Sequence, residues 1–219
     1  MRFLILPVFF GFLLASGVSH AQSVSGKINA SEALKPAARR TPYGKPPAAS
    51  TASSDRKLAA VWIEGTTGSD SEREEPEKPP FLDQKDTQFE PRFIVIRQGE
   101  RVRVRNSDPI YHNVFSLSAA KKFDIGRRPK GEAIDVTFEK SGLVQVFCDI
   151  HSHMSADILV LPKNTVQWQT AVLGEEYRFD NLPAGEYVLK AYAPGFQEFS
   201  TKITVSASGT NVNVQLSAK

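Results

Sequence analysis

The chain holds one cysteine, and it stands in the segment VFCDIHSHMSAD (146–157). Cys148, His151 and Met154 follow one another at intervals of three, with His153 between the last two. Thiolate, imidazole and thioether are all metal donors of soft or borderline character. The full chain has four histidines and two methionines; setting aside residues 1–21 removes His20 and Met1 and leaves three and one. Every remaining donor of this kind then falls in YHNVFS (111–116) or CDIHSHM (148–154). Random placement would scatter them along the chain, so the concentration points to a metal site.

The set His112, Cys148, His151 and Met154 offers two imidazoles, one thiolate and one thioether. That is the donor set of a blue-copper site, with the thioether as a long axial contact. The thiolate binds copper strongly in both oxidation states, and little ligand movement between them gives fast electron transfer. The same residues admit three other readings. Val144, Val146 and Cys148 share one face of a strand, so the cysteine could be plain core. His112, Cys148, His151 and His153 could make a tetrahedral zinc set, which leaves Met154 unexplained. Cys148 with a histidine base could be a nucleophile, although no oxyanion-hole sequence or orienting partner is evident. His153 reads most simply as an exposed loop residue. Asn113 either ties the two donor loops together through its side chain or is an ordinary turn asparagine.

Strands must position these donors. ERVRVRN (100–106) alternates, with Val102 and Val104 toward a core and Arg101, Arg103 and Arg105 toward water. IDVTF (134–138) puts Ile134, Val136 and Phe138 inward. LVQVFC (143–148) leads into the donor loop and ADILVLP (156–162) leads out of it. Short strands bounded by Gly, Pro, Asn and Asp, with no sustained helical period, predict an all-β sandwich over 81–162.

At these residues the chain resembles a known family. The spacing C-x2-H-x2-M and the triplet HNV (112–114) are similar to amicyanin, a cupredoxin with a short ligand loop. Residues 81–162 more broadly resemble exported bacterial cupredoxin-like proteins often called methylamine utilization proteins. The resemblance implies a Greek-key cupredoxin β-sandwich in which two loops meet at one end. It implies one type 1 copper per chain, held by His112, Cys148, His151 and Met154. It also implies that His151 faces solvent as the electron's exit. Asp149 stands where a small hydroxyl residue is common, and Ser152 where amicyanin has a proline.

Residues 163–219 predict a second, small β-sandwich. YRFDNLPAGEYVLKAYAPGF (177–196) places Phe179, Leu182, Tyr187 and Leu189 around a Leu-Pro-Ala-Gly turn and resembles the carboxypeptidase regulatory-like, or transthyretin-like, domain. FSTKITVS (199–206) and NVNVQL (211–216) are its closing strands. SVSGKI (23–28) and LAAVWIEG (58–65) resemble the opening strands of the same domain. The expected organisation is therefore a split sandwich, 22–65 and 163–219, interrupted by the cupredoxin domain at 81–162; the competing arrangement adds the early strands to the cupredoxin sheet. Residues 29–57, rich in Ala, Pro and Ser, are expected to form a mobile loop, and 66–80 an acidic Pro-rich linker.

Composition bounds the rest. With 219 residues, 41% hydrophobic content and a net charge of +3, the chain can bury a real core and has too mild a charge to suggest nucleic acid. Arg2, the apolar run Phe3–Ala15 and Ser19-His20-Ala21 predict a signal peptide over 1–21, cleaved before Gln22. No later run is long enough to span a bilayer, and no cysteine stands directly after the apolar run, which argues against a lipoprotein, so the mature protein is expected in the periplasm and not across the membrane. The expected function is transfer of single electrons between redox proteins, such as a c-type cytochrome or a dehydrogenase, without substrate turnover. Lys121, Lys122, Arg127, Arg128 and Lys130 would steer an acidic partner or simply keep the surface soluble. The competing functions are copper carriage, buffering or sensing with the same donors, and a structural β protein with a vestigial site.

Overall fold

The structure is a computed structural model that describes residues 22–31, 58–65 and 78–219. The signal peptide at 1–21 and most of the two polar stretches, 32–57 and 66–77, lie outside the described residues. Strands β1 (Val24–Ala30) and β2 (Leu58–Gly65) come first. They are followed by β3 (Phe81–Lys85), β4 (Gln88–Glu90), β5 (Phe93–Arg97), β6 (Arg101–Asn106), β7 (His112–Ser118), β8 (Lys121–Arg128), β9 (Ala133–Thr137), β10 (Gly142–Phe147) and β11 (Ser155–Leu161). The chain closes with β12 (Thr165–Val172), β13 (Glu176–Phe179), β14 (Gly185–Tyr192), β15 (Phe199–Val205), β16 (Thr210–Asn211) and β17 (Val214–Leu216). No helix occurs among the described residues, and none there is long and apolar enough to cross a membrane.

Strands β3 to β11 make two facing sheets, β4-β3-β6-β9 and β5-β11-β10-β7-β8. The alternation in β6 is realised: Val102 and Val104 are buried, and the arginines face out. Those arginines do not merely solvate a face. Arg103 and Arg101 pair with Asp135, and Arg105 pairs with Asp83. The core between the sheets contains Leu82, Phe89, Ile96, Val114, Phe138, Val144, Val146 and Ile158, and it ends at Cys148 and Met154.

The remaining strands form a second pair of sheets, β12-β2-β14-β15 and β13-β1-β16, with β17 also pairing with β1. Thus β1 and β2 pair with strands that come after residue 163, and not with the first sandwich. Asn29 and Ala30, read from sequence as the start of a loop, extend β1 against Gln215 and Leu216 because the partner strand continues there. Gly26 is required in β1: a Cβ there would lie 1.8 Å from the carbonyl oxygen of Val212.

The two sandwiches are joined by a third apolar cluster. Ala60 and Trp62 of β2, Tyr192 at the end of β14, and Phe93, Leu159 and Leu161 of β5 and β11 are all buried in it. β2 and β11 are therefore covered on both faces, which is why LAAVWIEG and DILVL read as near-continuous apolar runs. The Tyr192 hydroxyl crosses the joint to donate to Asp157 Oδ2 at 2.7 Å.

Candidate metal centre

The antiparallel register of β10 and β11 pairs Phe147 with Ser155 and leaves Cys148–Met154 as the loop between them. Two backbone bonds close it: Cys148 N–H donates to Met154 O at 3.4 Å, and Met154 N–H donates to His151 O at 3.0 Å. His112 opens the neighbouring strand β7, beside a register shift between Asn113 and Phe115. Bulges of this kind re-aim side chains at the rim of a sheet. Fold and loop together bring residues 36 and 39 positions apart into contact.

Three donor atoms converge. Cys148 Sγ lies 3.8 Å from His112 Nδ1 and 3.8 Å from His151 Nδ1, and the two nitrogens are 3.1 Å apart. With metal–nitrogen bonds of about 2.0–2.1 Å and a metal–sulfur bond of about 2.3 Å, donors on one ion sit about 3–3.6 Å apart (N to N) and about 3.5–3.8 Å apart (N to S). The observed spacings match a shared ion. His112 is fully buried, Cys148 is 4% exposed, and Met154 is fully buried at the far end of the loop, in the same core cluster as Cys148. His151 is half-buried.

The tautomer of His112 is set from behind. Its Nε2 lies 2.8 Å from Asp108 Oδ2. Asp108 also accepts from Asp86 N–H at 2.7 Å and Thr87 N–H at 2.9 Å. Burial alone would raise this carboxyl group's pKa. The bonds from Thr87, His112 and Asp86, with the His112 charge, outweigh burial and hold it below the ordinary aspartate value. An ionised carboxylate only accepts, so His112 Nε2 carries a proton, and in the neutral ring Nδ1 is then the atom that presents a lone pair to the cluster. Asn106, fully buried, organises this turn: its Nδ2 donates to Ile110 O and Arg128 O, and its Oδ1 accepts from Asp108 N–H. Burial, then the charges of His112 and His153, push His151 below the ordinary histidine value. A neutral ring is the form that can ligate.

The other sequence readings separate here. His153 does not join the cluster; its Nε2 bonds to Thr87 O at 2.9 Å, and its ring centroid is 6.1 Å from that of His151. The four-donor zinc set is thus not assembled. Asn113 is 4% exposed, yet its Oδ1 has no partner among the described residues, so of its two sequence readings a tie between the donor loops through that oxygen is not made. Cys148 is core by burial, but its sulfur faces two imidazole nitrogens. Of the basic residues, Lys121 pairs with Glu139 and Arg128 with Glu132. Asp108 and Asn106 were missed from sequence. The available signal was an aspartate four residues before a candidate ligand histidine, the carboxylate–histidine–metal pattern.

No protein-family model matches the chain, and no curated protein matches it. Solved structures do resemble it at a distance. A mutant of amicyanin in the Cu(I) form is 19% identical, covers 37% of this chain and 81% of its own, and superposes with a TM-score of 0.36. A reduced mutant of amicyanin gives 20%, 38%, 83% and 0.36. The copper-containing nitrite reductase of Thermus scotoductus SA-01 gives 23%, 38%, 22% and 0.36. The likeness is confined to under two-fifths of the chain, and the reading of the site rests on its own donor geometry.

Proposed function

We propose that this chain is an exported type 1 copper protein that carries single electrons between redox proteins. The observation that supports it is the convergence of His112 Nδ1, His151 Nδ1 and Cys148 Sγ at spacings one ion can bridge, with Met154 buried at the loop's end. Bound copper would supply the one-electron chemistry. The chain's own residues supply the rest. Asp108 holds His112 in one tautomer and one orientation. The core around Cys148 and Met154 excludes water and keeps the donors from moving, which favours rapid exchange of an electron.

His151, the half-buried ligand, provides the route outward. Ile110, Tyr111 and Ile150 are exposed large apolar residues; Tyr111 and Ile150 lie within the donor segments and Ile110 directly before the first. They offer an apolar contact for a redox partner, and the exposed Lys122, Arg127 and Lys130 favour an acidic one. The leader-like segment at 1–21 is what supports export, and the periplasm is the compartment this reading adopts.

Titration of the purified mature protein with Cu(II), followed by visible absorption and EPR, tests the reading. An intense thiolate-to-copper band at one equivalent with a narrow hyperfine splitting, both lost in Cys148→Ala, is the expected result. A colourless adduct that survives the substitution sinks it and leaves copper handling or a structural module.

A further inference from the structure

We propose that His153 is a positioning residue: it latches the donor loop to the β3–β4 turn, and through that turn to Asp108 and His112. The inference rests on the metal-centre reading above. A carbonyl oxygen only accepts, so the 2.9 Å contact means that His153 Nε2 donates to Thr87 O across 66 residues. Thr87 N–H and Asp86 N–H in turn donate to the carboxylate that fixes His112. The path His153–Thr87–Asp108–His112 returns to the donor loop where His112 Nδ1 meets His151 Nδ1 at 3.1 Å. Both imidazole donors therefore sit on one path, which an ion shared by the two nitrogens would close.

Two features of the chain call for such a latch. The donor loop CDIHSHM has no proline and is closed on itself by only two backbone bonds. The turn it reaches is itself unusual. Lys85 pairs with Gln88, so Asp86 and Thr87 form a two-residue hairpin loop, and both have positive φ, 52° and 53°. That geometry ordinarily takes Asn-Gly or Asp-Gly, and a β-branched threonine rarely adopts it. Here three hydrogen bonds from outside the turn hold it: two into Asp108 and one from His153. Backbone held in a disfavoured region by its surroundings is characteristic of functional sites.

The test uses the full mature protein with His153→Ala and His153→Gln, since glutamine keeps an N–H donor. Amide exchange followed by NMR in the metal-free protein reads the latch without copper. The alanine variant should speed exchange at Thr87 and Met154 by about three- to ten-fold, while Val160 in β11 stays unchanged, and glutamine should restore at least half of the protection. Release of Cu(I) to a chelator should accelerate by a similar factor and recover with glutamine. Exchange unchanged within a factor of about two, no rescue by glutamine, or unchanged copper release would each overturn the latch. A wild type that takes up no copper would instead overturn the function reading, and the exchange arm would still judge the latch.

Discussion

Asp108→Asn isolates the group behind His112. The carboxylate accepts three hydrogen bonds at 2.7, 2.9 and 2.8 Å and is 6% exposed. Asparagine has the same shape but one acceptor oxygen. Placed at the Oδ2 position, that oxygen keeps Thr87 N–H and the His112 ring, now as neutral bonds, and turns its NH2 group against Asp86 N–H. One charge-assisted bond is lost and two are weakened, while the cost of burying a charge is relieved. The net destabilisation should be about 2–4 kcal/mol. Against a total stability of about 5–15 kcal/mol, the variant stays folded. For a protein of this size, that predicts a melting temperature lower by about 6–12 °C in the metal-free state. The ring keeps its orientation but loses the negative charge behind it, so copper affinity should fall about ten- to a hundred-fold. Thermal unfolding of the metal-free protein and competition with a copper chelator measure the two effects. A melting point within about 1 °C of wild type, with unchanged affinity, would refute the assignment of Asp108 as the group that fixes His112.

Two further predictions concern the frame. Trp62 is 2% exposed at the joint between the sandwiches, so Trp62→Ala should cost about 3–5 kcal/mol; chemical denaturation followed by far-UV circular dichroism checks it, and a change under about 1 kcal/mol contradicts the joint. Asp135 is held below the ordinary aspartate value chiefly by its hydrogen bond to Arg103, against the opposing effect of burial and with help from the charges of Arg103 and Arg101. A depressed folded pKa stabilises above the unfolded value near 3.9 and is lost as pH falls through the folded one. Asp135→Asn should therefore melt about 1–3 °C lower at pH 7, a small effect because the pair is half-exposed and screened by salt, with the gap closing below about pH 4. Melting curves from pH 7 to 3 decide it, and a gap that persists at low pH assigns the effect to packing.

The donor residues were legible because their types are rare and their spacing is local. One cysteine, one methionine and three histidines crowd into two short segments once the leader is set aside. Strand character was legible for the same kind of reason: ERVRVRN and IDVTF alternate with period two, and the register of β6 with β9 follows that alternation. What could not be read from neighbours along the chain was anything that depends on which strand lies beside which. The bond from His153 to Thr87, the bonds that hold Asp108 under His112, and the apolar seam joining Trp62 to Leu159 all link residues distant in sequence. The same holds for Asn113, whose position beside a candidate ligand allowed a tie between loops but whose buried carbonyl oxygen finds no partner among the described residues. Local sequence thus determined which atoms were available for chemistry and which faces were apolar. Tertiary structure decided which three of those atoms meet, which histidines face the cysteine and which one bonds to Thr87 instead, and what holds the ring of His112. Donor chemistry belongs to a residue by itself, whereas convergence belongs to strand order and register, which only long-range packing determines.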